Sequence, residues 1–151
     1  MATFNDFTTG LQAVMGSDVD LVAWAEDHFA RAFTQVKGFR PIEVINAEQL
    51  PLQSLYLFGG EVGPLTLGAH SFDQLPDVIM EFIWTEPDPD AAMVQAEQLI
   101  DRVPIALGRN PTLSNAVGGC WVKGWQAGDP RNHPMHMVGF RISADYNVLT
   151  A

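Results

Sequence analysis

The sequence predicts an α+β fold in a single domain, residues 1–151. Two segments carry apolar side chains at steps of three and four residues, which is the spacing of a helix with one apolar face. Other segments are short, rich in β-branched and aromatic residues, or alternate apolar with polar side chains, as strands do. A chain of this length can bury a substantial core without disulfides or metals. No repeat or linker divides it.

The first predicted helix begins after the capping-type residues Ser17 to Asp20 and ends near Gln35, before Gly38. Serine and aspartate accept hydrogen bonds from the free amides of a first turn, and glycine can adopt the conformation that closes a helix. The apolar face consists of Leu21, Trp24, Ala25, His28, Phe29 and Ala32.

Three strands are predicted in the next part of the chain. Residues 42–45 form a short candidate, and residues 52–58 form a second one that Gly59-Gly60 closes. The turn-rich span 61–76 predicts an extended hairpin with a mobile tip. Residues 78–84 are mostly apolar, which indicates a strand buried on both faces.

The second predicted helix has the clearest boundary. Asp88 can cap its free amides, and Pro89 occupies the first helical position, where a missing N–H has no cost. Pro104 removes an internal hydrogen bond, so we expect a kink or stop there and an end at Gly108. The apolar face consists of Ala92, Ala96, Leu99, Val103 and Ala106.

Two strands are predicted in the last third. Residues 117–125 contain Gly118, Gly119 and Gly124, which suggest a bulge or a sharp bend. Residues 137–148 alternate without interruption, so one face is expected on the core and the other toward water or another subunit. The apolar row is Val138, Phe140, Ile142, Ala144, Tyr146 and Val148, and the opposite row is Gly139, Arg141, Ser143, Asp145 and Asn147.

The charge is strongly asymmetric. The formal net charge is −10, with eleven acidic and no basic side chains in residues 41–101, against seven acidic and eight basic side chains elsewhere. Duplex binding needs clustered lysine and arginine, so the composition disfavours it. An acidic surface would instead repel DNA, meet a basic protein surface, or only maintain solubility.

His133 and His136 raise the question of a metal site, because they are three residues apart with methionines beside them. Zinc or copper would need one or two more ligands, and His28 and His70 are remote in the sequence. A hairpin connection between two strands explains the segment more simply. We therefore predict no metal and no cofactor, and a metal-binding protein stays a third alternative.

No motif for covalent catalysis is present. Cys120 is the single cysteine, and its glycine-rich, strand-like context predicts a buried, unreactive thiol. The chain has no Gly-x-Ser-x-Gly elbow or phosphate-binding glycine loop. It also lacks a signal-peptide pattern and a long apolar run, so we expect a soluble protein without membrane contact. Trp121 and Trp125 share parity with Lys123 and suggest a contact surface.

The order of elements resembles the tail terminator, or tail completion, proteins of long-tailed bacteriophages, prophages and gene-transfer particles. The resemblance covers most of the chain and rests on the strand led by Leu50-Pro51, the hairpin, the strand that ends at Trp84, the helix from Asp88, and the segment ALGRNPTLSNAVGGCWVKGW before the final strand. It implies a mainly antiparallel sheet of four or more strands covered by two helices.

The resemblance also implies a structural role in the virion. Such proteins form hexameric rings on the head-proximal end of the tail tube, stop its polymerisation and provide the surface that joins the head. The implied partners are other copies of the chain, the tail tube protein and a head–tail connector protein, with assembly in the host cytoplasm. DNA would pass through the ring without specific binding. The interface candidates are Arg141, Ser143, Asp145, Asn147, Trp121, Lys123 and Trp125.

A small enzyme is the alternative from another class. A cone-shaped α+β domain with an internal pocket, similar to isomerases and dehydratases of the nuclear-transport-factor fold, would need polar catalytic groups on its apolar inner side. The inward row of the last strand is apolar except for the hydroxyl of Tyr146. That pattern favours the structural role.

Overall fold

The computed structural model describes residues 2–64 and 70–149, and in these residues three helices cover one face of a five-stranded sheet. The strand order is β1-β2-β3-β5-β4, with β1 parallel to β2 and the other neighbours antiparallel. The elements are α1 (Phe4–Ser17), α2 (Val19–Phe29), β1 (Thr34–Lys37), β2 (Leu52–Val62), β3 (Ser71–Thr85), α3 (Pro89–Arg109), β4 (Gly119–Ala127) and β5 (Met135–Leu149). The predicted α+β class with a mainly antiparallel sheet is confirmed, although three helices rather than two cover it.

Each helix begins at a side-chain cap. Thr3 and Asp6 form a reciprocal capping box at α1, and the carboxylate of Asp18 accepts from two amides at the start of α2. At α3, Asp88 accepts from the amide of Asp90 at 3.0 Å and Pro89 occupies the first turn, as predicted. These caps satisfy amides that have no partner within the helix.

The first part of the chain differs from the prediction in three places. Helix α1 was not predicted, although its Phe7, Leu11 and Met15 are fully buried. The predicted helix to Gln35 is too long, because α2 ends at Phe29 and residues 34–37 form β1 beside β2. The chain leaves α2 through Ala30, which has a left-handed φ of 55°. Pairing with β2 overrides the local helical pattern here.

The predicted strand at residues 42–45 is wrong. Residues Ile42–Val44 form a 3₁₀ turn, in which the amide of Val44 donates to Pro41 at 3.0 Å and the amide of Ile45 donates to Ile42 at 3.2 Å. Local hydrogen bonds therefore satisfy this backbone without a strand partner, and Ile45 packs against the core.

β2 and β3 form the predicted hairpin, but β2 continues through Gly59-Gly60 to Val62. A register shift between Leu57 and Gly59 marks a bulge. A Cβ at Gly60 would lie 2.9 Å from the carbonyl oxygen of Leu75, so the glycine allows close approach of two strands rather than a turn. The predicted mobile tip includes residues 65–69, which lie outside the described residues.

The remaining elements follow the prediction closely. A kink or a stop was predicted at Pro104; α3 does not stop there, and it ends at Arg109, next to the predicted end at Gly108. The register shift between Val122 and Gly124 confirms the bulge in β4. The apolar row of β5 is buried from Val138 to Tyr146, as the alternation predicts.

The main core lies between the helices and the sheet. Its largest fully buried side chains include Phe7, Leu11, Trp24, Phe82, Trp84 and Phe140. Strand β3 is buried on both faces over most of residues 76–84, since Ile83 joins Leu50 and Leu52 in a second cluster on the other side. No helix in the described part of the chain is long and apolar enough to cross a membrane.

Candidate functional site

The sheet face opposite the helices carries the polar row that the sequence predicted on the last strand. We call it the open face. Arg141 and Ser143 are paired with Ile79 and Asp77 of β3, on the opposite side of the sheet from the core row. Asp145 is exposed on the same face. The side-chain amide of Asn147 donates a hydrogen bond to Asp73 of β3 at 3.1 Å. The structure thus brings the four predicted residues into one row.

The buried carboxylate of Asp77 contacts the central residues of this row. Asp77 accepts from Arg141 at 3.1 and 2.5 Å and from the hydroxyl of Ser143, and Lys123 lies 3.6 Å away. Burial by itself would raise the pKa of Asp77. The hydrogen bonds from Ser143 and Arg141, with the charges of Arg141 and Lys123, outweigh burial and hold that pKa below its usual value. Two cations surround one anion, so the cluster has a positive excess.

A second carboxyl group, Glu81, lies beside this cluster under Tyr56. The phenol of Tyr56 donates a hydrogen bond to Glu81, which is almost fully buried. Burial raises the pKa of Glu81 against the opposing effect of that hydrogen bond. Burial also raises the pKa of Tyr56, with further contributions from the hydrogen bond and charge of Glu81. The two side chains satisfy each other by a hydrogen bond, and the raised pKa of Tyr56 keeps its hydroxyl protonated.

The bulge in β4 separates the three candidate residues of that strand. Trp121 is paired with Ser143, and the amine of Lys123 reaches Asp77, so both lie on the open face. Trp125 is paired with Phe140, whose side chain belongs to the core row. The extra residue shifts the alternation, so Trp125 pairs with the core row, while Lys123 and Trp125 still line one cavity at this edge of the sheet. The two indoles are 46% and 54% exposed.

A cavity of about 660 Å³ opens on this face. Its polar lining includes Tyr56, Glu81, Lys123 and Arg141, and its apolar lining includes Phe58 and Trp125. The guanidinium of Arg141 lies 4.4 Å from the ring centre of Phe58, which is a cation–π contact. The charged groups are already paired with one another, and the described lining contains no cysteine or serine nucleophile.

The histidine segment forms the predicted connection between β4 and β5, with a 3₁₀ turn at Pro130–Asn132. The rings of His133 and His136 are 5.2 Å apart. Nε2 of His136 donates to the carbonyl of Glu86 at 3.0 Å, which occupies one nitrogen that could bind a metal. Within residues 2–64 and 70–149, no group of three or more His, Cys, Asp or Glu side chains is arranged to hold a metal ion.

Cys120 is buried, as predicted, and burial raises the pKa of its thiol to about 12. The thiolate is the reactive form, so this cysteine is inert near neutral pH. The space where an internal catalytic pocket would lie, between helices and sheet, is filled by core side chains such as Phe7, Trp24 and Phe140.

Sequence reasoning missed the partners of the predicted row. Asp77, Glu81, Tyr56 and Phe58 were not singled out, although they complete the open face. One signal was available for two of them: Asp77 and Glu81 are four residues apart in a strand, which places both carboxyl groups on one face. Tyr56 and Phe58 had no such signal, because only the pairing of β2 with β3 places them there.

The comparisons with known proteins agree with this architecture. A chain of the structure described as "Virion of native gene transfer agent (GTA) particle" is similar to this protein over 97% of its length and 100% of the length of that chain, with a TM-score of 0.52 and 11% identity. The likeness shows a shared fold across the whole domain. No protein-family model and no curated protein sequence matches the chain.

Proposed function

We propose that this protein is a structural component of a phage-like particle and acts as a tail terminator. In this role, copies of the chain form a hexameric ring on the head-proximal end of the tail tube. The ring stops polymerisation of the tube and provides the surface that joins the head. The proposal rests on one observation above all, the full-length similarity of fold to a chain of a gene transfer agent virion. The element order of the sequence supports the same role.

The partners follow from this role. The chain contacts other copies of itself, the tail tube protein on one side and a head–tail connector protein on the other. The open face supports a contact function, because its polar row is ordered by Asp77 and flanked by exposed aromatic side chains. DNA passes through the ring without specific binding. The net charge of −10 supports this, since an acidic bore repels the phosphate backbone.

The alternative of a small enzyme has less support. Its catalytic pocket would lie on the inner, apolar side of the sheet, and in the described residues the core side chains of the three helices fill that side. In the cavity on the open face, Glu81 is already hydrogen-bonded to Tyr56, and the cations of Arg141 and Lys123 lie against Asp77.

The native mass of the purified protein tests the ring. Light scattering over a series of protein and salt concentrations is expected to give six times the chain mass of 16.6 kDa at high protein concentration, with six-fold rings in negative-stain images. A strict monomer over the whole series would contradict the ring.

The position on the particle is tested by immunogold labelling of assembled particles. Label at the junction of head and tail is expected, and label along the tube or on the head shell would contradict the terminator role.

A further inference from the structure

The sheet has two free edges. Strand β1 pairs with β2 only as far as Leu55, so the segment of β2 from Tyr56 to Val62 has a neighbour on one side only. Strand β4 is the last strand at the other end of the sheet. In the described residues neither edge has a backbone partner beyond its own sheet. Unpaired amides and carbonyls along an extended strand are a template for pairing with another chain.

Part of the free β2 segment lies in the same rows of paired residues as part of β4. The register connects three residues of the free β2 segment, through β3 and β5, with residues of β4. These rows are Tyr56–Ile79–Arg141–Gly124, Leu57–Val78–Ile142–Val122 and Gly59–Asp77–Ser143–Trp121. A copy rotated about an axis along the strands would therefore bring its β2 segment beside residues 121–124 of its neighbour.

The strand directions also fit. β2, β3, β5 and β4 alternate in direction, so β2 and β4 run opposite ways within one chain. Rotation about an axis along the strands preserves these directions. The β2 of one copy would then meet the β4 of the next as an antiparallel pair and continue the alternation of the sheet.

The exposed side chains on the two edges complement each other. On β2, Leu57, Phe58 and Val62 are 71%, 57% and 63% exposed, and β4 presents Trp121 and Trp125. Aromatic and aliphatic side chains on adjacent strands stabilise a sheet. Glu61 is the single charged residue in the free β2 segment, and Lys123 is the single one in β4. A Cβ added at Gly59 or Gly124 would meet nothing within 4 Å, so the face of the sheet is open at both positions.

We propose that the free β2 segment, residues 56–62, pairs with β4 of a second copy of this chain, so that the sheet continues from subunit to subunit. The contact joins unlike surfaces, which generates a ring when the rotation closes. This inference rests on the proposed ring and specifies its subunit contact. Pairing of β4 with β4 is disfavoured, because it would place Lys123 of both copies in one strand pair.

Disulfide trapping tests the pairing. Phe58→Cys and Trp121→Cys are combined in a Cys120→Ala background. Three interstrand steps of about 4.8 Å separate the two positions within a chain, which exceeds the reach of a disulfide. Mild oxidation is expected to give a ladder of cross-linked species up to a closed oligomer. Each single cysteine variant, in the same background, is expected to stay monomeric on a non-reducing gel.

The outcomes separate this proposal from the ring itself. Six-fold rings without cross-links would overturn the edge pairing and leave the proposed function intact. A cross-linked dimer from Trp121→Cys alone would overturn the pairing in favour of β4 with β4. A ladder with open filaments in place of rings would support the pairing and contradict the terminator ring.

A second variant tests the contact without cysteines. Leu57→Lys introduces a charge into the free edge. Val19→Lys on α2 is the matched control, because Val19 is 70% exposed and Leu57 is 71% exposed. Leu57→Lys is expected to raise the concentration needed for assembly by about tenfold or more, and Val19→Lys to leave it unchanged. Equal assembly of the two variants would contradict the proposal.

Discussion

At the scale of residues, Asp77 organises the open face. It is nearly buried, yet it stays charged because Arg141, Lys123 and Ser143 surround it. A buried carboxylate without such partners would lower the stability of the fold by several kcal/mol. The same partners order Arg141 against Phe58, so one carboxylate positions a cation, a hydroxyl and, through Arg141, an aromatic ring.

Asp77→Asn is expected to lower the free energy of unfolding by about 1–3 kcal/mol at pH 7, because it removes the charge from several hydrogen bonds. The folded-state pKa of Asp77 is lowered, so its contribution is present above the ordinary carboxyl pKa and is lost as pH falls through the lowered value. The difference between the native protein and the variant should therefore shrink in acid. Urea unfolding from pH 7 to pH 3 measures this.

Asp73→Asn is the matched control for that prediction. Asp73 is exposed on the same strand and accepts one hydrogen bond, from Asn147 at 3.1 Å. Its replacement should change stability by less than about 0.5 kcal/mol. Equal effects at the two positions would show that Asp77 has no special role in ordering the face.

At the scale of elements, bulges decide which side chains meet. The extra residue in β4 puts Lys123 on the open face and Trp125 in register with the core row. The irregularity in β2 lies at Phe58, whose ring contacts Arg141 on the face of Asp77, and it places Gly59 opposite Asp77. Each bulge interrupts the period of two, so parity counted along the sequence holds only up to the bulge.

Gly60→Ala is expected to destabilise the β2–β3 pair by about 1–3 kcal/mol, since the new Cβ would lie 2.9 Å from the carbonyl oxygen of Leu75 and 3.0 Å from Cα of Pro76. Gly59→Ala is the matched control, because a Cβ there meets nothing within 4 Å. Thermal unfolding of the two variants beside the native protein measures the effect. An equal loss of stability would mean that backbone freedom, rather than close approach, determines both positions.

At the scale of the whole molecule, one continuous core connects the helices with the sheet. α1, α2 and α3 all contribute to it, together with β2, β3, β4 and β5. The opposite face has no covering layer in the described residues, apart from the small cluster around Ile83. A sheet covered on one face and open on the other is a stable arrangement for antiparallel strands, and it leaves a broad surface for contacts.

The chain is expected to unfold as a single domain, because every helix shares this core. Far-UV circular dichroism and tryptophan fluorescence should give coincident urea transitions, measured at low protein concentration so that assembly does not contribute. The tryptophans report from α2, β3 and β4. Two separated transitions would contradict the prediction of one domain over residues 1–151.

The sequence by itself determined the features whose pattern is local. The caps of α3, the alternation of β5, the bulge in β4 and the buried Cys120 follow from short-range rules of hydrogen bonding and periodicity. The polar row from Arg141 to Asn147 was predicted for the same reason. Only the tertiary structure decided that residues 34–37 join a sheet, that Ile42–Val44 form a turn, and that Asp77, Tyr56 and Phe58 complete the open face. Those outcomes depend on partners far away in the chain, and strand pairing between distant segments is not encoded in any one of them.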